Sequence, residues 1–409
     1  MRGRNCKSLQ EDYEMRFWID GYEANVPQRL GSSQVAFELL TQFERIDKKN
    51  EYTIFLPDPP LSDLPKERKG WKYRVLKPKR LWTRIALPFA LYTARQKPDL
   101  FFSPSHYLPR FLPSKIKKVV VIFDLSFLHF PEMFNRDDLW KLKNWTKFSV
   151  NNADCIVTIS KFSKEDIYKE YSTPKKKITI AYPGYDKEKF RVQSLEFRVG
   201  EVKKKYNVGD NYLIYIGTIQ PRKNIIRLME AFGNAIHLEG VKTHLRGVRE
   251  RSKNELELVI VGKHKGEGKQ GWKYEDILKS PQKLGIESRV KFLGFVPTDE
   301  LAFLISGATA FIQPSLYEGF GIPVAEAMAC GVPVIVSDVS SLPEVVGQAG
   351  LLVNPYSVDQ MEQAIRTIVA DKKLRKKYSK AGLERVKMFS WGKMAKEVLK
   401  VFDRVEKKG

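Results

Sequence analysis

Short runs rich in Val, Ile, Leu and Phe, bounded by Gly, Pro and polar residues, alternate with stretches of helical period through almost all of this 409-residue chain. Continuous apolar runs of this length mark strands buried on both faces. Their alternation with helix-forming segments is the pattern of parallel sheets covered by helices on both sides. The strands expected in the first half are 16–20, 52–57, 73–77, 100–105, 118–123, 155–160 and 178–182, with helices over 34–46 and 139–153 among the segments between them. The second half predicts strands at 212–217, 256–262, 290–295, 310–313, 334–337 and 351–354. A single hydrophobic core stops growing well below this chain length, so the expected solution is an α/β protein of two doubly wound, Rossmann-like domains in series. The polar interval 183–211, containing Gly184, Gly200 and Gly209, separates the two halves. The expected division is a polar, disordered extension over 1–14, with Met15 as an alternative start, a first domain over 15–187, a linker over 188–210 and a second domain over 211–388.

Hydrophobic residues make up 43% of the chain, enough for two cores. Cys6, Cys155 and Cys330 form an odd set without paired spacing, which points to a reduced, cytoplasmic compartment and to neither a disulfide framework nor a zinc site. No apolar run reaches the length of a membrane span, and the start, Met1 to Lys7, lacks the apolar core of a signal peptide. Net charge is +23, and it is concentrated: from Lys66 to Lys118, 15 Lys and Arg face only Glu67 and Asp99, leaving +13. Within that stretch, residues 77–92 combine basic residues with Trp82, Phe89 and Tyr92, the mixture of a surface that rests on anionic lipid headgroups. No aromatic RNA-binding motif or zinc-finger spacing accompanies the charge, so nucleic acid is not an expected partner. The loops 242–253 and 263–273 are also basic and carry no assigned chemistry.

The most informative segment runs from Ser315 to Ser337. Glu318 and Glu326 bracket a glycine turn and the first turn of a helix, with Pro323 suited to a first helical position and Gly331 to its end. The amides of Gly319, Phe320, Gly321 and Ile322 lie at the positive helix end, where a diphosphate can bind through N–H groups. Two ionised carboxylates can accept hydrogen bonds from the vicinal hydroxyls of a ribose and a hexose. A second element, Tyr215 to Asn224, is a strand ending at Gly217 and a loop that carries Arg222 and Lys223 before a helix. Ligands of doubly wound sheets bind at such carboxyl ends, and the two cations suit a diphosphate.

The Glu318–Glu326 segment resembles the Glu-x7-Glu element of retaining glycosyltransferases with the GT-B fold, in particular glycosyltransferase family 4 of the mannosyltransferase-like branch. The resemblance extends over 15–402 and implies two Rossmann-like domains facing each other across a cleft. It further implies that Arg222 and Lys223 contact the donor's phosphates, that Glu318 holds the donor sugar and that Glu326 holds the ribose. Gly31, Ser32 and Ser33 are similar to the family's glycine loop, although Ser32 or Ser33 would serve equally as a helix N-cap. Residues 119–132 look like the strand and loop beneath the donor sugar. Many relatives carry His-Asp-Leu there, whereas this chain has Phe123, Asp124 and Leu125. His106 and His129 are further candidates for the acceptor side, and Ser160 and Ser163 are expected to cap a helix with Glu165 and Asp166 in its first turn. The segment 389–409 resembles the helix that crosses back onto the first domain.

By this resemblance the expected activity is transfer of a hexose from a nucleotide-diphosphate sugar to a glycan or lipid-linked acceptor, with retention and with no cofactor or metal. GDP-mannose is the first choice of donor, a UDP-sugar the alternative. A catalytically degenerate nucleotide-sugar or glycan-binding protein at the membrane surface is the rival class, kept open by Phe123. The catalytic set is Glu318, Arg222, Lys223 and Asp124, with domain closure about the linker excluding water. The expected location is the cytoplasmic face of a membrane.

Overall fold

The computed structural model describes residues 14–192, 196–240, 255–263 and 274–406. Seven strands, β1 (Arg16–Asp20), β2 (Glu51–Leu56), β3 (Trp71–Val75), β4 (Leu100–Ser103), β5 (Lys117–Val121), β6 (Cys155–Thr158) and β7 (Ile178–Ile180), form the first sheet. Its order is β3-β2-β1-β4-β5-β6-β7, and every pairing is parallel. The second sheet, β8 (Tyr212–Ile216), β9 (Glu257–Val261), β10 (Val290–Gly294), β11 (Ala310–Gln313), β12 (Val334–Ser337) and β13 (Gly350–Val353), has the parallel order β10-β9-β8-β11-β12-β13. In each sheet the strand order reverses once, between β1 and β4 and between β8 and β11. A ligand crevice of the kind found at such switch points therefore opens at the carboxyl ends of those four strands.

The helix Trp391–Glu406 returns to the first sheet. Its Phe402 ring meets Phe17, Phe43 and Phe102 with centroids 4.9, 5.7 and 5.1 Å apart, and Arg404 donates to Thr179 Oγ1 at 2.6 Å. The crossing segments are tight: a Cβ on Gly184 would lie 2.1 Å from the Trp391 nitrogen. The interval 183–211 is more than a connector, because it contains the helix Glu196–Lys205. Lys205 and Tyr206 bind the two oxygens of Glu300 at 2.6 and 2.5 Å, so this helix belongs with the second sheet.

Cys155 and Cys330 are buried free thiols. Glu14 donates its amide to the Lys49 carbonyl at 3.2 Å, while the rest of the amino-terminal extension, with Cys6, lies outside the described residues. The basic loops at 242–253 and 263–273 also lie outside them apart from Lys263. Among the described residues, no helix is long and apolar enough to cross a membrane. Within the basic stretch, Trp82 differs from the surface role expected of it. It is 6% exposed and donates Nε1–H to Asp20 Oδ1 at 2.9 Å, since its indole packs with Tyr22 in the core and must satisfy its one donor there. Phe89 and Tyr92 remain exposed, joined by Leu81, Ile85 and Phe111.

Candidate active site

The two strands that flank the second crevice supply its charged groups. After β8 the chain turns through Pro221–Lys223 and enters the left-handed region at Asn224 (φ 60), whose Nδ2 donates to the carbonyls of Pro314 and Pro355 at 3.0 and 2.6 Å. This clamp ties the Arg222–Lys223 turn to the loop after β11. Lys223 Nζ donates to Glu318 Oε1 at 2.5 Å, Gln313 Nε2 donates to the same oxygen at 2.6 Å, and Arg222 Nη1 lies 3.7 Å from Glu318 Oε2 while donating to the Tyr317 carbonyl. Both members of the Lys223–Glu318 pair are buried. Burial by itself would raise the Glu318 carboxyl, but the Lys223 and Arg222 charges override it and hold the group below its ordinary value. Burial lowers the Lys223 ammonium, with Glu318 opposing.

Gly321 starts the helix Ile322–Ala329 at φ 97, a conformation suited to glycine, and a Cβ there would lie 2.7 Å from Leu342 Cδ2. Ser340 and Ser341 hold the loop, accepting from the Glu318 amide at 3.0 Å and donating to its carbonyl at 2.8 Å. Phe320 turns its ring away from the crevice onto Phe389, 5.1 Å between centroids, so only its backbone is available to a ligand. Gly217, at the end of β8, donates to the Val261 carbonyl at 2.9 Å. Glu326, eight residues after Glu318, differs from the ionised carboxylate expected of it. Burial, reinforced by Asp186, pushes it up to about 8. Glu38 of the first domain is likewise pushed up to about 7, by burial and then by Asp186.

The first domain closes the site from above. Asp124 follows β5, accepts from the Ser126 amide at 2.9 Å, and stands against Gly319: a Cβ there would meet Phe123 O at 3.0 Å and Asp124 Oδ2 at 3.2 Å. The loops of Asp124 and Glu318 therefore touch. His106, beyond β4, accepts from the Phe123 amide through Nε2 at 3.1 Å and stacks on the Phe123 ring. Gly31 begins the helix Ser32–Ile46 with φ 56 and no side-chain cap. Ser33 spends its hydroxyl on the amide and carbonyl of Leu30, at 3.0 and 2.9 Å, and so shapes the loop.

His129 does not join this group. Its Nε2 lies 2.8 Å from Asp166 Oδ1 and its ring stacks on Tyr317, whose hydroxyl donates to Asp166 Oδ2 at 2.5 Å and accepts from the Leu125 amide at 3.2 Å. Asp166 is not in the first turn of its helix, Lys161–Tyr171; with Glu165 it falls one turn later, and Ser160 alone caps the start through the Ser163 amide at 3.0 Å. Among the described residues, His129, Asp166 and Glu170 could approach a common cation, but His129 and Tyr317 already engage both Asp166 oxygens. A further bridge joins the domains at that helix start, where Glu344 accepts from the Lys161 amide at 2.9 Å, the Phe162 amide at 3.3 Å and the Tyr182 hydroxyl at 2.5 Å. Tyr317, Asp166 and Glu344 have no sequence signal of their own, being a tyrosine and two acids in ordinary contexts.

Comparison with known proteins decides the family. The model for Glycosyltransferase Family 4 matches residues 31–189 and that for Glycosyl transferases group 1 matches residues 200–385. The O-antigen chain mannosyltransferase B of Escherichia coli is 31% identical over 322 residues, covering 78% of this chain and 76% of that protein. The chain is a family 4 glycosyltransferase. The serotype-specific mannosyltransferase WbdA of Escherichia coli is 26% identical over 296 residues, 71% of this family 4 glycosyltransferase but only 34% of the relative. Among solved structures, the sucrose-phosphate synthase of Thermosynechococcus elongatus superposes with a TM-score of 0.72 at 20% identity, covering 97% of this chain and 100% of the other. The family 4 glycosyltransferase thus has the GT-B architecture, two Rossmann-like domains facing across a cleft, with its buried ion pair at the carboxyl ends of the two central strands of the second sheet.

Proposed function

We propose that this glycosyltransferase moves a hexose, mannose from GDP-mannose in the first instance, onto a glycan or lipid-linked acceptor, with retention of configuration and without a required metal. The observation that carries the reading is the cluster of Arg222, Lys223 and Glu318 at the β8 and β11 edge, facing Asp124 across the cleft. The names of the relatives favour mannose and an O-antigen-like polysaccharide. Arg222, Lys223 and the amides of Gly319 to Ile322 neutralise the departing diphosphate, while Glu318 and Glu326 hold the hexose and the ribose. The bond from the sugar C1 to the phosphate oxygen breaks as the bond from C1 to the acceptor oxygen forms on the same face. The acceptor proton passes to the leaving phosphate oxygen, so no enzymic nucleophile is assigned. Gly31 and the first-domain loops border the acceptor.

Thermal stabilisation by UDP, GDP, ADP and their sugars tests the site, since a ligand at a hundred times its dissociation constant stabilises by about 2.7 kcal/mol. GDP and GDP-mannose should shift the transition and Arg222→Ala should abolish the shift; a UDP-selective shift moves the donor to a UDP-sugar, and no shift from any nucleotide sinks the reading. Anomeric analysis of the product by NMR then decides retention.

The acceptor side is proposed to rest on an anionic membrane surface. Leu81, Ile85, Phe89, Tyr92 and Phe111 are exposed beside Arg80, Arg84, Arg95 and Arg110. Flotation with vesicles containing anionic lipid should recover the protein, and equal recovery on neutral vesicles would count against an anionic surface.

A further inference from the structure

Tyr317 immediately precedes Glu318 and reaches out of the second domain into the first. Its hydroxyl donates to Asp166 Oδ2 at 2.5 Å and accepts from the Leu125 amide at 3.2 Å, so a phenol that is 4% exposed spends its donor and an acceptor across the domain boundary. Three first-domain rings close around it: His129 stacks on the phenol with centroids 5.3 Å apart, and Phe162 and Phe130 meet it edge-on at 5.3 and 6.2 Å. Asp166 is buried, and His129 Nε2 holds its other oxygen at 2.8 Å, which fixes the carboxylate for the phenol. Burial, with the Asp124 and Asp166 charges next, raises the Tyr317 phenol well above its ordinary value, so it keeps its proton and is the donor in that pair. The same residue ties the groups around the cleft to one another. Its carbonyl accepts from Arg222 Nη1 at 2.5 Å, and the Leu125 amide bound by its hydroxyl is the one after Asp124, whose carboxylate lies against Gly319. One side chain therefore connects the loop of Asp124 to the loop of Glu318 and to the Arg222 guanidinium. Ring packing tolerates sliding, whereas hydrogen bonds weaken steeply off their axis. Withdrawing the ring would break both bonds and leave Asp166 to His129 alone, a cost that falls on any partly opened arrangement.

We infer that Tyr317 is a positioning residue for the transfer reaction: a pin from the second domain that, seated in a socket of Leu125, His129, Phe162 and Asp166, sets Asp124 against Glu318 and fixes Arg222 for the diphosphate. The inference rests on the hexosyl-transfer reading above and adds to it the contact that turns domain closure into a complete site. His129 and Asp166 then act through Tyr317 rather than on a substrate.

Tyr317→Phe keeps the ring and removes both hydrogen bonds. It should lower kcat about tenfold to a hundredfold and leave the dissociation constant of GDP within about threefold, because the cations for the diphosphate belong to the second domain and a misplaced closure is felt in the chemical step. Calorimetric titration with GDP counts the folded sites, so kcat is read per competent site and a merely unstable variant is recognised by its low count. Asp166→Ala should lose as much as Tyr317→Phe, and the double variant no more than either alone, since both remove one contact. Asp166→Asn, whose amide oxygen still accepts from the phenol, should stay within about fivefold of wild-type kcat. With GDP bound, small-angle scattering should give Tyr317→Phe and Asp166→Ala a larger radius of gyration than wild type. Wild-type kcat in Tyr317→Phe, effects that multiply in the double variant, or a loss of GDP affinity as large as the loss in kcat would each overturn the inference. If Tyr317→Phe does not fold, Asp166→Ala against Asp166→Asn carries the same comparison from the first domain. If wild type uses a UDP-sugar, the measurements are made with UDP and the donor assignment fails separately. A wild type that turns over no nucleotide sugar sinks the transfer reading; scattering without nucleotide then decides the pin, which expanded variants support and an unchanged radius in both variants overturns.

Discussion

Lys223 Nζ stands 2.5 Å from Glu318 Oε1 although 95 residues separate them, and both side chains are buried at the carboxyl ends of the central strands of the second sheet. A buried ion pair is poor stabilisation compared with packed hydrocarbon, but losing one partner strands a charge in the interior. Lys223→Ala should therefore destabilise by about 3–5 kcal/mol in denaturant unfolding at pH 7, and Lys223→Met with Glu318→Gln should recover most of that. Equal stability of Lys223→Ala and wild type would show that water reaches Glu318.

Glu326 makes stability depend on pH in an unusual direction. Its folded value of about 8 lies above the ordinary 4.5, so between these limits the folded state keeps a proton that the unfolded chain has released. That contribution is fully present below pH 4.5 and is lost as pH rises through 8. One pKa unit corresponds to about 1.4 kcal/mol, and water at this half-buried side chain screens part of the total. Glu326→Gln should match wild type near pH 5 and exceed it by on the order of 2 kcal/mol at pH 9. A ribose that requires the carboxylate should bind severalfold more tightly at pH 8 than at pH 6, and the variant should lose that dependence in calorimetric titration with GDP.

Gly319 sets how closely the two domains approach. A Cβ there would meet Phe123 O at 3.0 Å and Asp124 Cβ at 3.1 Å, so the first-domain loop must retreat by a few tenths of an ångström. Gly319→Ala should lower kcat/KM about tenfold while leaving each domain's stability within about 1 kcal/mol, since angstrom-scale misplacement is felt in rate before it is felt in folding. Steady-state kinetics beside thermal unfolding separates the two effects.

The Glu344 carboxylate closes the start of a first-domain helix from the second domain, accepting the Lys161 and Phe162 amides. Carboxylates at helix starts gain from free N–H groups and the macrodipole together. Glu344→Ala should cost about 1–2 kcal/mol and raise the radius of gyration in small-angle scattering, while Glu344→Gln should retain part of the bridge. An unchanged scattering profile for Glu344→Ala would mean that Tyr317 and Asp166 hold the closed arrangement without it.

The strands were legible in the chain because a core strand must be apolar whatever packs against it: 16–20, 310–313 and 334–337 match β1, β11 and β12 end to end, and the other strands differ only at their ends. Arg222, Lys223 and Glu318 were visible for a related reason, since they follow strand ends, and Glu326 because it lies just past the first turn of the helix that the glycine turn opens. What only the tertiary structure decided are relations between distant positions. Tyr317 meets Asp166 across 151 residues and Glu344 meets Lys161 across 183, partners that no periodicity encodes. Trp82 is drawn into the core by Asp20, 62 residues earlier, although its neighbours read as surface. The raised Glu326 carboxyl was equally hidden, because it depends on burial and on the nearness of Asp186, 140 residues earlier. Sequence pattern thus determined which segments are strands and which loops carry charge; the meeting of the two domains determined which of those charges are paired, neutral or free to bind, because desolvation and Coulomb energy depend on distances that exist only after folding.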